Sequence, residues 1–526
     1  MKFRVIIFII LLSSYTSYSQ ITPDRLRNFI FNGQSTPGSI PPYPAEVITF
    51  YEKLGFKTAW IQQENIEDRN FLLTVLKQSA NWGLQDEYYA SDFLEEFCNG
   101  HLLLRNADDS MQREIRITGI AIHFYRSIAF GNIMPQLRYD GLDYQPACYD
   151  IPVLLANAIK TKSIQLLKEQ LTPPLVEVNT LENKIKQLNA RMSEGDFKEV
   201  VIASNKVNSN NTALVLKLYQ LAILDSVSTH LPETSLKKAI REAQRQFNLL
   251  SDGMLSSTIL EQLNVPLYKR LQQLSLSINY YRWLYCLIQG RTVIVVNIPA
   301  AYMNVYRDNR SILEMRMVLG KTSTPTPTLA SRINKVILYP YWHVPFSIVA
   351  KELLPLIKAN PAFIHVGNFQ VLNSAGKIMN PYNIKWQALN VKNFPYTIRQ
   401  STGCDNALGL LKLEFYSPFG VYLHDTPFKS AFMLNKRYFS HGCLRMENPM
   451  ELGRLVLKAH HLAIDTLEQK GCLINHSPIA VPADDPMPVI VWYNPAGCDS
   501  TGRVRFYEDI YRKFHWEEKS AKKLVE

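Results

Sequence analysis

The 526-residue chain has no Cys-x-x-Cys pair, no internal repeat and no low-complexity tract. Beyond its N-terminus it has no window of some eighteen uninterrupted apolar residues. Each absence excludes something. Its seven cysteines (Cys98, Cys148, Cys286, Cys404, Cys443, Cys472 and Cys498) are scattered, which argues against a zinc finger or ribbon. Without a long apolar window, the mature chain is expected to be soluble. No stretch is dense enough in Lys and Arg to form a nucleic-acid tail, so no nucleic-acid partner is expected. Charged residues make up 20% and hydrophobic residues 47%, which excludes a disordered chain. The length allows three or four domains.

The first twenty residues, MKFRVIIFIILLSSYTSYSQ, stand apart. Two cations, an apolar run from Val5 to Leu12 and small residues at Ser17 and Ser19 have the anatomy of a secretory signal peptide over residues 1–19. An uncleaved anchor is the alternative. No lipobox-like cysteine follows, so a lipoprotein is not expected. The formal charge of +11 falls to +9 without Lys2 and Arg4. Such a balance favours anionic surfaces, such as wall polymers or lipid headgroups. In an exported chain, an odd cysteine count leaves at least one thiol without an intramolecular partner. Cys443 is the natural candidate. The other six form up to three bridges or none, and spacing does not say which.

Residues 20–212 read as a helical scaffold. PAEVITFYEKLGFKTAWI, NFLLTVLKQSANWGL, REIRITGIAIHFYRSIAFGNIMP and IPVLLANAIKTKSIQLLKEQL carry apolar residues at helical spacing. Their aromatics read as core. Residues 213–275 read as a small three-helix module. One helix has Ala239, Ile240, Ala243 and Phe247 on its face; an Asp252-Gly253 turn and a helix starting at Ser257-Thr258 follow. From Arg291 the period changes. RTVIVVNIPA, LEMRMVLG, NKVILYP, ALGLLKLEF, GVYLH and MPVIVWYNPAG are short, β-branched or aromatic, and bounded by turn residues. The fold class is therefore multi-domain α+β, with a mostly-β domain over 276–526. The Asn-, Gly- and Pro-rich stretch within about 346–400 exceeds an ordinary connection and reads as a lid or a subdomain.

The chemistry concentrates between His424 and Met446, in HDTPFKSAFMLNKRYFSHGCLRM. Cys443 lies nineteen residues after His424. A free thiol is mostly protonated at neutral pH and needs a base or a positive environment to act as a nucleophile. Gly442 allows a sharp turn that lets the thiol project and aims backbone N–H groups at one point, as an oxyanion hole requires. His424 ends a predicted strand and faces that turn as a base. Arg445 adds a cation, suited to lowering the thiol pKa or binding a carboxylate. A buried thiol and a His424/His441/Cys443 metal site are the competing readings. No carboxylate completes the latter at a regular spacing, so no metal is expected.

His, fifteen residues, then Ser-His-Gly-Cys resembles the signature of the L,D-transpeptidase (YkuD-type) family. YLHDTP, FSHGCLRM, FPYTIRQSTGCDNALG and RINKVILYPYWHVPFSIVAKELLP resemble the larger YcbB-type members of Gram-negative envelopes. The resemblance is strong from Arg291 to Tyr511. It implies a periplasmic protein with a signal segment, helical scaffold, peptidoglycan-binding module and catalytic domain with a capping insertion. Residues 213–275 resemble that peptidoglycan-binding module, although Met254 to Ser256 depart from its pattern. By the same resemblance, Cys443 is the nucleophile and His424 the general base. The N–H groups of His441, Gly442 and Cys443 form the oxyanion hole. Ser440 and His441 support the turn, Arg445 holds the site or a substrate carboxylate, and the Asp425 carbonyl orients the imidazole. Trp342, His343 and Tyr422 are candidates for substrate binding. The implied reaction takes an acyl group from a peptidoglycan tetrapeptide stem, releases D-Ala and forms a 3→3 cross-link, in cell-wall biogenesis and cell shape. It uses no cofactor. A carbapenem adduct at the cysteine and wall-synthesis partners on the helical domain are further implications. Cys404 departs from the pattern, standing where a small residue or Pro is expected. It reads as a second thiol, a disulfide partner or neither.

Two other functions use the same residues. A carboxypeptidase or amidase would pass the acyl group to water. A wall-binding scaffold would keep the fold as a relic, although the intact His424/Ser440-His441-Gly442-Cys443 set argues against it. The sequence leaves open the acceptor, the disulfide state, the oligomeric state and whether the module still binds sugar.

Overall fold

The structure, a computed structural model, describes residues 21–32, 43–84, 91–100, 105–203, 212–228 and 231–515. The expected signal segment, 1–19, lies outside the described residues. The chain divides into two compact units. Among the described residues, no helix is long and apolar enough to cross a membrane.

The first unit takes its described residues from Met1–Ala80, Leu84–Ala129 and Tyr149–Thr172. It is helical, built on Pro44–Leu54, Ile66–Lys77, Ala107–Phe130, Ile151–Lys160 and Ile164–Leu171. The aromatic stripes are core as expected: Phe50, Tyr51, Trp60, Phe124 and Tyr125 are fully buried. Glu114 is buried among them. Its carboxylate accepts the N–H of Ala59, of Trp60 at 3.1 Å and of Ile61 at 3.1 Å, and the Tyr51 hydroxyl at 3.0 Å. Those donors satisfy a group whose burial would otherwise be costly.

The second unit holds Asn81–Gly83, Phe130–Cys148 and the chain from Pro173 onward. Val176–Met192 therefore falls here and not with the preceding helices. It packs on Leu267–Tyr285, where the buried Arg282 meets Glu182 at 3.1 Å. The helices Thr212–Gln220, Glu233–Gln246 and Ser257–Leu263 form as expected, with the Asp252-Gly253 turn between the last two. Ser256, one residue before the expected start, is the N-cap and accepts the Ile259 N–H at 3.4 Å. These helices do not separate into a compact unit of their own. The reason is physical: the buried Arg270 guanidinium lies between the rings of Phe247 and Phe506, and Arg503 binds Glu242 at 2.8 Å.

The β-rich part is a ten-stranded sheet that closes on itself. Ile479–Trp492 pairs in parallel with Val293–Asn297 and antiparallel with Leu329–Leu338, which closes the strand path and leaves only the short Tyr139–Asp140 strand beside Leu329–Leu338. Residues on its inner face, among them Val296, Met303, Met317, Leu413, Leu423, Leu444 and Val491, form one apolar core. Pro449–Leu457 and Leu462–Lys470 add Leu452, Val456, Ile464 and Leu467 to it. Tyr302–Arg307 is a strand that sequence reading passed over. It turns into Arg310–Gly320 through Asp308 and Asn309, both at positive φ (49° and 64°). An Asp-Asn pair suits that hairpin turn and was the available signal.

The expected insertion joins two neighbouring strands, Leu329–Leu338 and Leu411–Phe415. It has a four-stranded sheet (Trp342–His343, Thr397–Gln400, Phe369–Leu372, Ile378–Met379) and its own core, including Ile348, Leu353, Ile357, Val371, Trp386 and Ile398. Just past its end, Cys404 is bonded to Cys472; Cys148 is bonded to Cys286. Both bridges fit an oxidising, extracytoplasmic compartment. Cys98, Cys443 and Cys498 are free. Trp386 is 4% exposed and its indole N–H donates to the Pro381 carbonyl at 2.7 Å. Trp386→Ala is expected to cost about 3–5 kcal/mol locally. Hydrogen exchange should then lose protection across 344–400 while Leu329–Leu338 keeps its own.

Candidate active site

Parallel pairing builds the site. Leu423 lies opposite Leu444 and His424 opposite Arg445, and the Tyr422 carbonyl accepts the Leu444 N–H at 3.1 Å. Strand side chains alternate between faces. Leu423 and Leu444 enter the core, fully buried. Tyr422, His424, Cys443 and Arg445 therefore share the other face. Lys412, the register partner of His424 on its second side, joins them, with its ammonium 4.1 Å from the Tyr422 ring centre.

The loop before Cys443 is held by side chains that satisfy its backbone. Ser440 Oγ donates to the Cys443 carbonyl at 2.7 Å and accepts the Gly442 N–H at 3.1 Å. Thr326 Oγ1 donates to the Gly442 carbonyl at 3.0 Å while accepting the Gly320 N–H at 2.9 Å. Gly442 has φ +112°, a conformation that L side chains rarely adopt, so glycine is required at this turn. Its N–H, expected in the oxyanion hole, is occupied by Ser440.

His424 is buried, and its Nδ1 lies 2.5 Å from the Asp425 carbonyl oxygen. That carbonyl can only accept, so Nδ1 carries the proton and Nε2 the lone pair. Burial, helped by the charges of Arg445 and Lys412, pushes the His424 pKa down to about 3. Asp425 is itself fixed. Its carboxylate accepts the N–H of Leu410 at 2.9 Å and of Thr426 at 2.7 Å and binds Lys429 at 2.6 Å. Gly409 (φ +62°) makes room, since a Cβ there would lie 2.3 Å from the carboxylate.

Burial raises the Cys443 thiol pKa; the Tyr422 backbone N–H, the Tyr422 hydroxyl, Lys412 and Arg445 pull the other way. The Tyr422 hydroxyl is pushed up by its own burial and by the Cys443 sulfur, while Trp342 acts the other way. Trp342 and Tyr422, both expected to bind substrate, thus act next to the thiol. His343 lies on the insertion sheet opposite Arg399, and burial, with Arg399 and Lys412, lowers its pKa. Arg445 is half-buried, and its Nε has no hydrogen-bond partner. His441 turns outward, its Nε2 2.7 Å from Glu352 Oε1. Sequence reading missed Lys412, Thr326 and Glu352, whose roles come only from pairing across the sheet and the insertion. Among the described residues, no three His, Cys, Asp or Glu are grouped to hold a metal.

A neutral imidazole beside a protonated thiol gives a definite pH profile. Protons leave the thiol only above the range of a free cysteine, and His424 takes none on until near pH 3. The iodoacetamide rate at Cys443 is expected to climb through pH 7–9 without a break near the ordinary histidine pKa, and Tyr422→Phe should move the curve further up. A plateau below pH 7 would instead reveal a resting thiolate–imidazolium pair. Gly409→Ala should displace the Asp425 carboxylate, cost about 1–3 kcal/mol in thermal unfolding and slow this alkylation.

Residues 291–462 match the model of the L,D-transpeptidase catalytic domain (YkuD), and residues 45–182 that of a scaffold domain. The chain is 34% identical over 218 residues to a Haemophilus influenzae protein provisionally named an L,D-transpeptidase. The match covers 41% of this chain and 44% of that relative, so the chain spans less than half of its length. Among solved structures, L,D-transpeptidase 3 from Mycobacterium tuberculosis is 15% identical at a TM-score of 0.19, covering 38% of this chain and 60% of that one. An L,D-transpeptidase solved in complex with imipenem is also 15% identical, at 0.18, covering 38% and 58%. At such TM-scores neither likeness bears on the site.

Proposed function

We propose a function for this chain from one premise: residues 291–462 are an L,D-transpeptidase catalytic domain, of a cysteine transpeptidase family. The whole protein is read as an exported periplasmic enzyme that forms 3→3 cross-links between peptidoglycan tetrapeptide stems. One observation supports this most. A buried neutral histidine, fixed by a backbone carbonyl, shares a sheet face with the only thiol of the Ser-His-Gly-Cys turn.

The chemistry follows from charge states. His424 Nε2 takes the proton as Cys443 Sγ attacks the carbonyl of the third stem residue. The N–H groups of Cys443 and His441 receive the oxyanion, since Ser440 holds the Gly442 N–H. The imidazolium then protonates the leaving D-Ala, and a thioester remains. The third-residue side-chain amine of a second stem attacks it, and Tyr422 stabilises the departing thiolate with its N–H and hydroxyl. Arg445, with an unpartnered Nε, is suited to a stem carboxylate. The insertion, with Trp342 at its base, excludes water and favours the amine. A carbapenem would acylate the same thiol. Residues 213–275 act as a peptidoglycan-binding module beside the sheet, and the N-terminal helices offer a surface for wall-synthesis partners.

Incubation with disaccharide-tetrapeptide should yield a 3→3 dimer and free D-Ala by mass spectrometry. Cys443→Ala should abolish both, and His424→Ala should slow them about 10²–10⁴-fold. Tripeptide with no dimer would make water the acceptor and the enzyme a carboxypeptidase. A wild-type enzyme without product, with Cys443 inert to a carbapenem, would sink the enzymatic reading for this substrate.

A further inference from the structure

We propose that Glu352, carried by the insertion, is a positioning residue for His441, and that His441 takes the proton of the incoming amine. This rests on the transpeptidase reading above and adds a second proton acceptor to it.

The two motif histidines sit in opposite surroundings. His424 is buried and bound to a carbonyl. His441 is at the rim, its side chain 35% exposed, and is bound to a carboxylate that is 49% exposed. With Nε2–H donated to Glu352 Oε1 at 2.7 Å, Nδ1 is left with the free lone pair. Glu352 lies in a single π turn, Val349–Leu353, between the helical segments Phe346–Ile348 and Leu354–Ala359. Such turns recur at functional sites because they re-aim one side chain. Val349, Leu353 and Ile357 are buried in the insertion core, which fixes the register that presents Glu352.

The second half-reaction needs such a group. An alkylamine with a pKa of about 10.4 arrives as ammonium at neutral pH. His424, buried and bound to a carbonyl, carries the second proton of that amine to the sulfur, so the first needs another acceptor. His441 Nδ1 accepts the first proton of the ammonium and later releases it to solvent, while the Glu352 carboxylate stabilises the imidazolium. The freed nitrogen lone pair forms the C–N bond with the thioester carbonyl, and the C–S bond breaks. The second nitrogen proton reaches the Cys443 sulfur through His424. Ammonium and thioester thus become amide, thiol and one released proton. His441 stands only two residues before Cys443, so the same loop carries acceptor and nucleophile.

The test separates the two half-reactions in the full-length enzyme. In a single turnover with tetrapeptide donor, Glu352→Gln should release its burst of D-Ala at a rate within about twofold of the wild type. Transfer to a diamino-acid acceptor should fall at least tenfold, with acyl-enzyme accumulating or tripeptide rising. Hydroxylamine, neutral at the assay pH, should restore transfer to within about twofold. Glu352→Asp should recover part of the alkylamine rate. Equal loss with both acceptors would reduce Glu352 to a structural latch and overturn the proposal, as would undiminished alkylamine transfer. A wild-type enzyme that forms no acyl-enzyme on Cys443 would overturn the transpeptidase reading, and this inference with it.

Discussion

The catalytic half depends on a very short parallel pairing, Leu423 with Leu444 and His424 with Arg445. Two residues of register put two leucines into the core and four polar groups on the other face. A slip by one residue would send His424 and Cys443 inward and expose Leu423 and Leu444. The pairing holds because it is flanked on both sides. Leu411–Phe415 bonds to one strand and Arg310–Gly320 to the other, inside a sheet with no open ends on its closed path. The apolar core thus fixes the geometry of a site it does not enter.

Burial sets the electrostatics of that face. Both His424 and the Cys443 thiol are driven towards their neutral forms, and Lys412 and Arg445 help to keep the imidazole uncharged while easing ionisation of the sulfur. The resting site is therefore a neutral thiol and a neutral imidazole on one sheet face. Asp425 contributes through its backbone carbonyl, while its carboxylate spends its hydrogen bonds locking that carbonyl in place. Gly409 is the space that makes this possible.

The insertion is a folded body with its own core, inserted between two adjacent strands. It reaches the Cys443 loop from two directions, through Trp342 to Tyr422 and through Glu352 to His441. A change in its position would therefore be felt both at the thiol and at the rim.

Much of this was legible in the sequence because it is local. The signature from His424 to Cys443 lies within twenty residues, Gly442 announces its turn, and the helical faces and most strands declare their periods. The Tyr302–Arg307 strand was missed because its mixed Tyr, Met, Asn and Arg composition hid the alternation, although Asp308-Asn309 marked the turn. Other features were not legible at all. Glu352 and His441 are 89 positions apart, Cys404 and Cys472 are 68 apart, and nothing in the composition pairs them. The sequence by itself determined which groups could do chemistry, because residue type and local turns fix a thiol, an imidazole and a flexible glycine. Only the tertiary structure decided their charge states, their shared face and their distant partners, because burial and strand register arise from contacts between segments far apart in the chain.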